Sequence, residues 1–92
     1  MIPIHPGRIL RRELKARQLS ANALARALRV SSGRIVDILN GKRSISAETA
    51  LRLGCYFGND PQFWINLQSQ YELARAKRDI GARIAREVER AA

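Results

Sequence analysis

Between residues 31 and 44 the chain gathers short polar and basic side chains: Ser31, Ser32, Gly33, Arg34 and Asp37, then Lys42, Arg43 and Ser44. Such a set suits recognition rather than bond-making. Hydroxyls, a guanidinium and a carboxylate at the start of a helix can meet the donors and acceptors of base edges. The positive end of the helix dipole favours phosphate at the same place. Asp37 fits three roles: acceptor from a cytosine amino group, solvated charge, or partner of Arg34. Lys42 and Arg43 follow closely enough to touch neighbouring phosphates, although loop charges of this kind are also common as a plain solvated surface.

Other chemistry finds little support. His5 stands alone, without nearby acids or cysteines, so a structural or solvated role is expected and a metal site or catalytic triad is not. Cys55 is the single cysteine, which excludes an internal disulfide and a cysteine-based zinc site. Its place on a helix reads as a small buried apolar residue. Acidic residues are few and scattered, and no glycine-rich phosphate loop follows a strand. No enzyme activity and no cofactor are expected.

Charge points the same way as the polar cluster. Residues 1–45 carry ten lysines and arginines against Glu13 and Asp37, whereas residues 46–92 carry seven against six acids. Nearly all of the net +9 therefore lies in the first half. A one-sided basic surface suits a polyanion, because each neutralised phosphate releases condensed counterions.

The elements that must hold these groups are short helices, marked by caps and breakers. With 92 residues, 46% of them apolar, a single domain over 1–92 with a modest core is expected. No apolar run reaches the roughly 18 residues of a membrane span. The N-terminus lacks the basic-then-apolar pattern of a secretory signal, so a cytoplasmic protein is expected. Pro3 and Pro6 keep the first residues extended or turn-like. A helix is predicted over about 6–17, with Ile9, Leu10 and Leu14 inward and Ala16 a further candidate for the same stripe. Ser20 caps a small, alanine-rich helix over about 20–28, and Ser31 caps one over about 31–40, ended by Asn40-Gly41. Ser46 caps a helix over about 46–57, whose Ala50, Leu51, Leu53, Gly54, Cys55 and Phe57 are predicted to face inward. Gly58-Asn59 ends it, Asp60-Pro61 opens a helix over about 61–77, and a last helix is predicted over about 79–90. Nothing reads as a strand.

Two of these helices, joined by a tight turn, have what the major groove requires. Ala25 offers a small residue at the crossing, and Leu24, Leu28, Val30, Ile35 and Ile38 can lock the pair. The predicted fold class is thus all-α, with five to six helices, a helix-turn-helix unit over about 20–43 and a C-terminal helical extension over about 61–90. In that extension Trp64, Phe63 and Tyr71 recur at helical spacing, which suits core packing or a dimer interface better than a platform for bases. Trp64, Leu67, Tyr71, Ile80, Ile84 and Val88 are the candidate dimer contacts. The last three also suit packing back on the domain or a different protein partner. One compact domain reaches only one half-site of a two-fold operator, so a homodimer is expected.

Residues 18–54 resemble the phage-repressor type of helix-turn-helix domain, the Cro/C1 or XRE group. The segments HPGRILRRELK, NALARAL, RI..ILNGKRSIS.ETALRL and YFGNDPQFWINLQSQYEL resemble the HigA antitoxin family, also called VapI-like, over about residues 5–75. The resemblance implies a lambda-repressor-like fold and a dimer that binds a palindromic double-stranded DNA operator and represses its own operon. It also implies neutralisation of a HigB-like toxin, a RelE-like ribonuclease that cuts messenger RNA. On this chain it implies base reading at Ser32, Gly33 and Asp37, with Arg34 beside them. Backbone contacts fall on Ser20, Ala21 and Asn22, and on Lys42, Arg43 and Ser44, with Ser31 joining them at the helix start. Two positions depart from the pattern: Ala21 stands where a phosphate-holding glutamine is common, and Gly33 where a larger polar residue is. Two other classes share this fold: a repressor without a toxin, and a protein-interaction module that has lost readout.

Overall fold

In the computed structural model, described for residues 2–91, the chain forms five helices: α1 (Pro6–Ala16), α2 (Ala21–Leu28), α3 (Ser32–Leu39), α4 (Ala47–Phe57) and α5 (Pro61–Glu87). No strand occurs among the described residues. Each helix start has a side-chain cap of the kind that satisfies an otherwise orphaned backbone N–H. Ser20 Oγ accepts from Ala23 N at 3.0 Å, and Ser31 Oγ from Arg34 N at 3.2 Å. Ser46 Oγ accepts from Thr49 N at 3.2 Å, and Asp60 Oδ1 from Gln62 N at 2.9 Å. At α1 the cap is His5, whose Nδ1 accepts from Gly7 N at 2.9 Å. The structural role expected of His5 thus has a definite form.

The core is built from every helix. Leu10 and Leu14 of α1, Leu24 and Leu28 of α2, and Ile35 and Ile38 of α3 meet Ala50 and Leu53 of α4 and Trp64 of α5. Full burial of a side chain of this size is worth roughly 1.5–3 kcal/mol, so these few residues supply much of the stability. Ala25 is buried at the α2–α3 crossing, where a larger side chain would hold the two helices apart.

Three predicted details are corrected. First, the helices expected over 61–77 and 79–90 are one helix of 27 residues. No proline or left-handed residue interrupts it, and Asp79, which could have opened a new helix, instead pairs back with Arg75 one turn earlier, at 3.9 Å. Second, Leu51 and Cys55 do not face inward. Ala50, Leu53 and Gly54 take the buried side of α4, which leaves Leu51 58% exposed and Cys55 exposed one turn on. Third, Trp64 is 1% exposed and its indole N–H donates to Asn59 Oδ1 at 3.2 Å. It is a core residue of one protomer and has no surface left for a dimer contact.

The molecule measures 52 × 22 × 21 Å, and α5 causes the elongation. A helix of 27 residues is about 40 Å long. Its first half packs on α1 and α4, while beyond Ala74 nearly every residue is exposed.

Candidate nucleic-acid interface

The α3 helix is short, eight residues, and its two faces are sharply divided. At about 100° per residue, positions 32, 33, 36 and 37 share the outer face and 35 and 38 the inner one. Ile35 and Ile38 are fully buried, whereas Ser32 and Gly33 are exposed and Asp37 is half-buried. Val36 lies between them and is 40% exposed. Sequence reading missed Val36, because a valine there passes for one more core residue. Exposed beside two polar positions, its methyl groups could contact a thymine methyl in the major groove. Gly33 has no heavy atom within 4 Å of where a Cβ would stand, so nothing in the protein demands a glycine there.

Arg34 sits at the edge of this face and is turned away from it. Its side chain is only 23% exposed and Nη1 lies 3.4 Å from Glu48 Oε1 on α4. Glu48 also pairs with Arg52 at 3.1 Å, and Arg52 Nη1 donates to the Leu28 carbonyl at the end of α2 at 2.9 Å. The hydrogen bond from Arg52, then the charges of Arg34 and Arg52, hold the Glu48 carboxyl below its usual range. Of the roles open to Asp37, the guanidinium of Arg34 is thus engaged by Glu48 instead.

The loop after α3 is pinned by its backbone and presents its side chains outward. Lys42 N donates to the Asp37 carbonyl at 2.8 Å, and Ile45 N to Oε1 of the buried Gln68 on α5 at 2.9 Å. Gly41 adopts φ +74°, and a Cβ there would stand 3.8 Å from the His5 ring, which meets Tyr71 edge-on at 4.9 Å. Burial draws the His5 imidazole below its ordinary pKa, with a hydrogen bond to the Arg43 backbone opposing the shift. Arg11 of α1 donates to the Leu39 carbonyl at 3.2 Å and to Asn40 Oδ1 at 3.1 Å, so this cation caps the negative end of α3. Gly7 closes the same junction: a Cβ there would collide with the Ile38 carbonyl. With those contacts in place Lys42, Arg43 and Ser44 remain exposed, as do Ser20, Asn22 and Ser31. Ala21 is half-buried and offers only its backbone at the start of α2.

The turn between α2 and α3 is tight. Arg29 takes a left-handed conformation, φ 59° and ψ 45°, and Val30 N donates to the Ala25 carbonyl at 3.0 Å. The fold and this face together define a helix-turn-helix unit of the DNA-binding kind. A family model described as helix-turn-helix matches residues 10–64. Virulence-associated protein I of Dichelobacter nodosus is 55% identical over 80 residues, covering 86% of this chain and 74% of that protein. Among solved structures, an addiction module antidote protein of the HigA family from Coxiella burnetii superposes with a TM-score of 0.96 at 48% identity, over 99% of this chain and 100% of that one. The Pseudomonas aeruginosa antitoxin HigA, solved with the higBA promoter, gives 0.94 at 50% identity, over 98% and 99%. The chain belongs to the HigA-type, VapI-like branch of the XRE helix-turn-helix family.

Proposed function

We propose that this chain is an antitoxin that also represses its own operon by sequence-specific DNA binding. The observation that carries the DNA-binding half is the outer face of α3. Ser32, Gly33 and Val36 are exposed and Asp37 half-exposed on the side opposite the buried Ile35 and Ile38, next to the pinned and exposed Lys42–Ser44 loop. Base contacts come from Ser32 and Asp37, with Val36 supplying an apolar contact and Arg34 acting from the rim. Phosphates are taken by Ser20, Asn22 and Ser31, the Ala21 N–H, and Lys42, Arg43 and Ser44. Few of the groove-facing side chains can make bidentate contacts, so much of the affinity comes from the backbone and part of the specificity from DNA shape.

A two-fold operator needs two copies. Ile80 and Ile84 lie on one exposed stripe of α5, with Leu73 exposed further up the helix and Val88 exposed at its extended C-cap. The homodimer forms through this stripe, with Leu67 and Tyr71, both half-buried, at its inner end. The toxin is a HigB-like, RelE-like ribonuclease, supported by the HigA antidote and antitoxin relatives rather than by any surface of this chain. The site of action is the cytoplasm.

A reporter fused to the DNA upstream of the chain's own gene tests the repressor half: the intact chain silences it, and changes at Ser32 and Asp37 relieve silencing while the protein stays folded. Unsilenced reporter with the intact chain would refute it. Co-expression with the neighbouring gene tests the antitoxin half, which predicts restored growth. A neighbour that is harmless when expressed alone removes that half and leaves a plain repressor.

A further inference from the structure

We propose that Glu48 is a specificity-determining positioning residue, which holds the Arg34 guanidinium at the rim of the α3 reading face and keeps it from random phosphates. The inference rests on the DNA-binding reading above. Arg34 is the one basic residue of α3, three positions from its cap, where any phosphate near the reading face lies within reach of a free arginine. Left to itself, such a side chain would attract DNA of every sequence alike, since backbone contacts carry no sequence information. In the structure it is not left to itself. Glu48 Oε1 stands 3.4 Å from Arg34 Nη1, although the two residues are 14 apart in sequence.

The carboxylate is itself fixed. Glu48 Oε2 accepts from both Arg52 Nε at 3.2 Å and Arg52 Nη2 at 3.1 Å, two charge-assisted bonds on one oxygen that leave Oε1 to face Arg34. Arg52 is in turn anchored on the Leu28 carbonyl at the α2 terminus. One acidic side chain therefore ties α3 to α4 and, through Arg52, to α2. Glu48 lies in the first turn of α4, where the helix dipole also favours a carboxylate. The Glu48 end of the pair is 59% exposed, so water screens the contact and keeps it modest, which is what a releasable restraint requires. A site that offers Arg34 a better partner can draw it out, and a random duplex cannot.

The test is a double-mutant cycle with two DNA probes, a duplex from upstream of this chain's own gene and a random duplex of the same length. Binding is titrated at several salt concentrations for the parent, Glu48→Gln, Arg34→Gln and the double variant, with thermal unfolding followed in parallel. Glu48→Gln is expected to tighten random-duplex binding about two- to fivefold, the scale of one exposed ion pair. The preference for the upstream duplex should fall by a similar factor and the salt slope should steepen by up to about 1. In the Arg34→Gln background the gain disappears. A gain that persists there shows Glu48 acting on phosphates by its own charge and overturns the inference. So does an unchanged preference, or a parallel loss of both affinities together with a lowered melting temperature. A parent that does not separate the two duplexes overturns the DNA-binding reading as well; a parent that does, with an indifferent Glu48→Gln, overturns this inference alone.

Discussion

The α2–α3 pair and the outer half of α5 solve opposite problems. In the pair, Leu24, Leu28, Ile35 and Ile38 are all buried, and the exposed surface of α3 is polar except for Val36. Beyond Ala74 the order reverses: Ile80, Ile84 and Val88 are exposed, and arginines and acids surround them. The first region is complete as a fold and awaits a ligand. The second is a bare helix, and among the described residues nothing covers its apolar side chains. Charge follows the same division, with the basic excess on the reading half and near balance on the α5 half. A single exposed valine among polar groups is ordinary surface, whereas repeated apolar side chains on a bare helix are the kind of patch that interaction surfaces use.

The largest effect is expected where the reading half is closed. Gly7→Ala places a methyl group against the Ile38 carbonyl and forces α1 off the end of α3. A loss of about 3 kcal/mol, the upper range for overpacking, is expected in chemical denaturation. A near-neutral result would show that the junction is softer than the contrast requires. The second effect belongs to the bare helix. A chain ended after Arg78 should keep its melting temperature within a few degrees, because few residues beyond it touch the body. In light scattering it should run as a monomer where the full chain runs as a dimer. A persistent dimer clears the stripe of that role.

A smaller effect separates backbone propensity from readout within α3. Gly33→Ala has free space around it and should stabilise the helix by up to about 1 kcal/mol. If DNA binding weakens all the same, the glycine serves a close approach of DNA rather than the fold. The smallest effect concerns pH. Burial lowers the folded-state pKa of His5 from its ordinary 6.5, so folding favours the neutral ring. The corresponding stability is fully present above that ordinary value and declines as pH falls through the lowered one. Protonation also removes the Nδ1 acceptor for Gly7 N, which reinforces the decline. A shallow drop in unfolding midpoint below about pH 6.5 is expected, and His5→Asn, which can cap without titrating, should abolish it.

Much of the fold was legible because its signals are local. Ser20, Ser31, Ser46 and Asp60 all act as the caps their types and positions predicted, and Gly58 ends α4 with φ +73°. The helix-turn-helix boundaries follow from those residues alone. What escaped depends on neighbours far along the chain. The continuity of α5 was hidden because a charged stretch at 77–79 looks the same inside an exposed helix as between two helices. Cys55 and Leu51 were misplaced because every side of α4 carries some apolar residue, and only packing against α2 and α5 selects the buried one. Arg34 has its partner on α4, so its placement at the rim of the reading face rests on a contact between residues 14 apart. His5 is a rare cap, and its edge-on contact with Tyr71 joins the start of α1 to α5 far along the chain.

The proposed division of labour, with α3 reading sequence while the loop after it holds phosphate, can be measured directly. The direct measurement is the affinity of the chain, and of Lys42→Ala and Arg43→Ala, for its own upstream duplex and for a random duplex across a range of salt. The predicted result is a clear preference for the upstream duplex by the parent. Each loop variant should lose affinity about equally for both duplexes and show a salt slope shallower by about 1. Equal affinity of the parent for the two duplexes, or loop variants that lose only the preference, would contradict that division of labour.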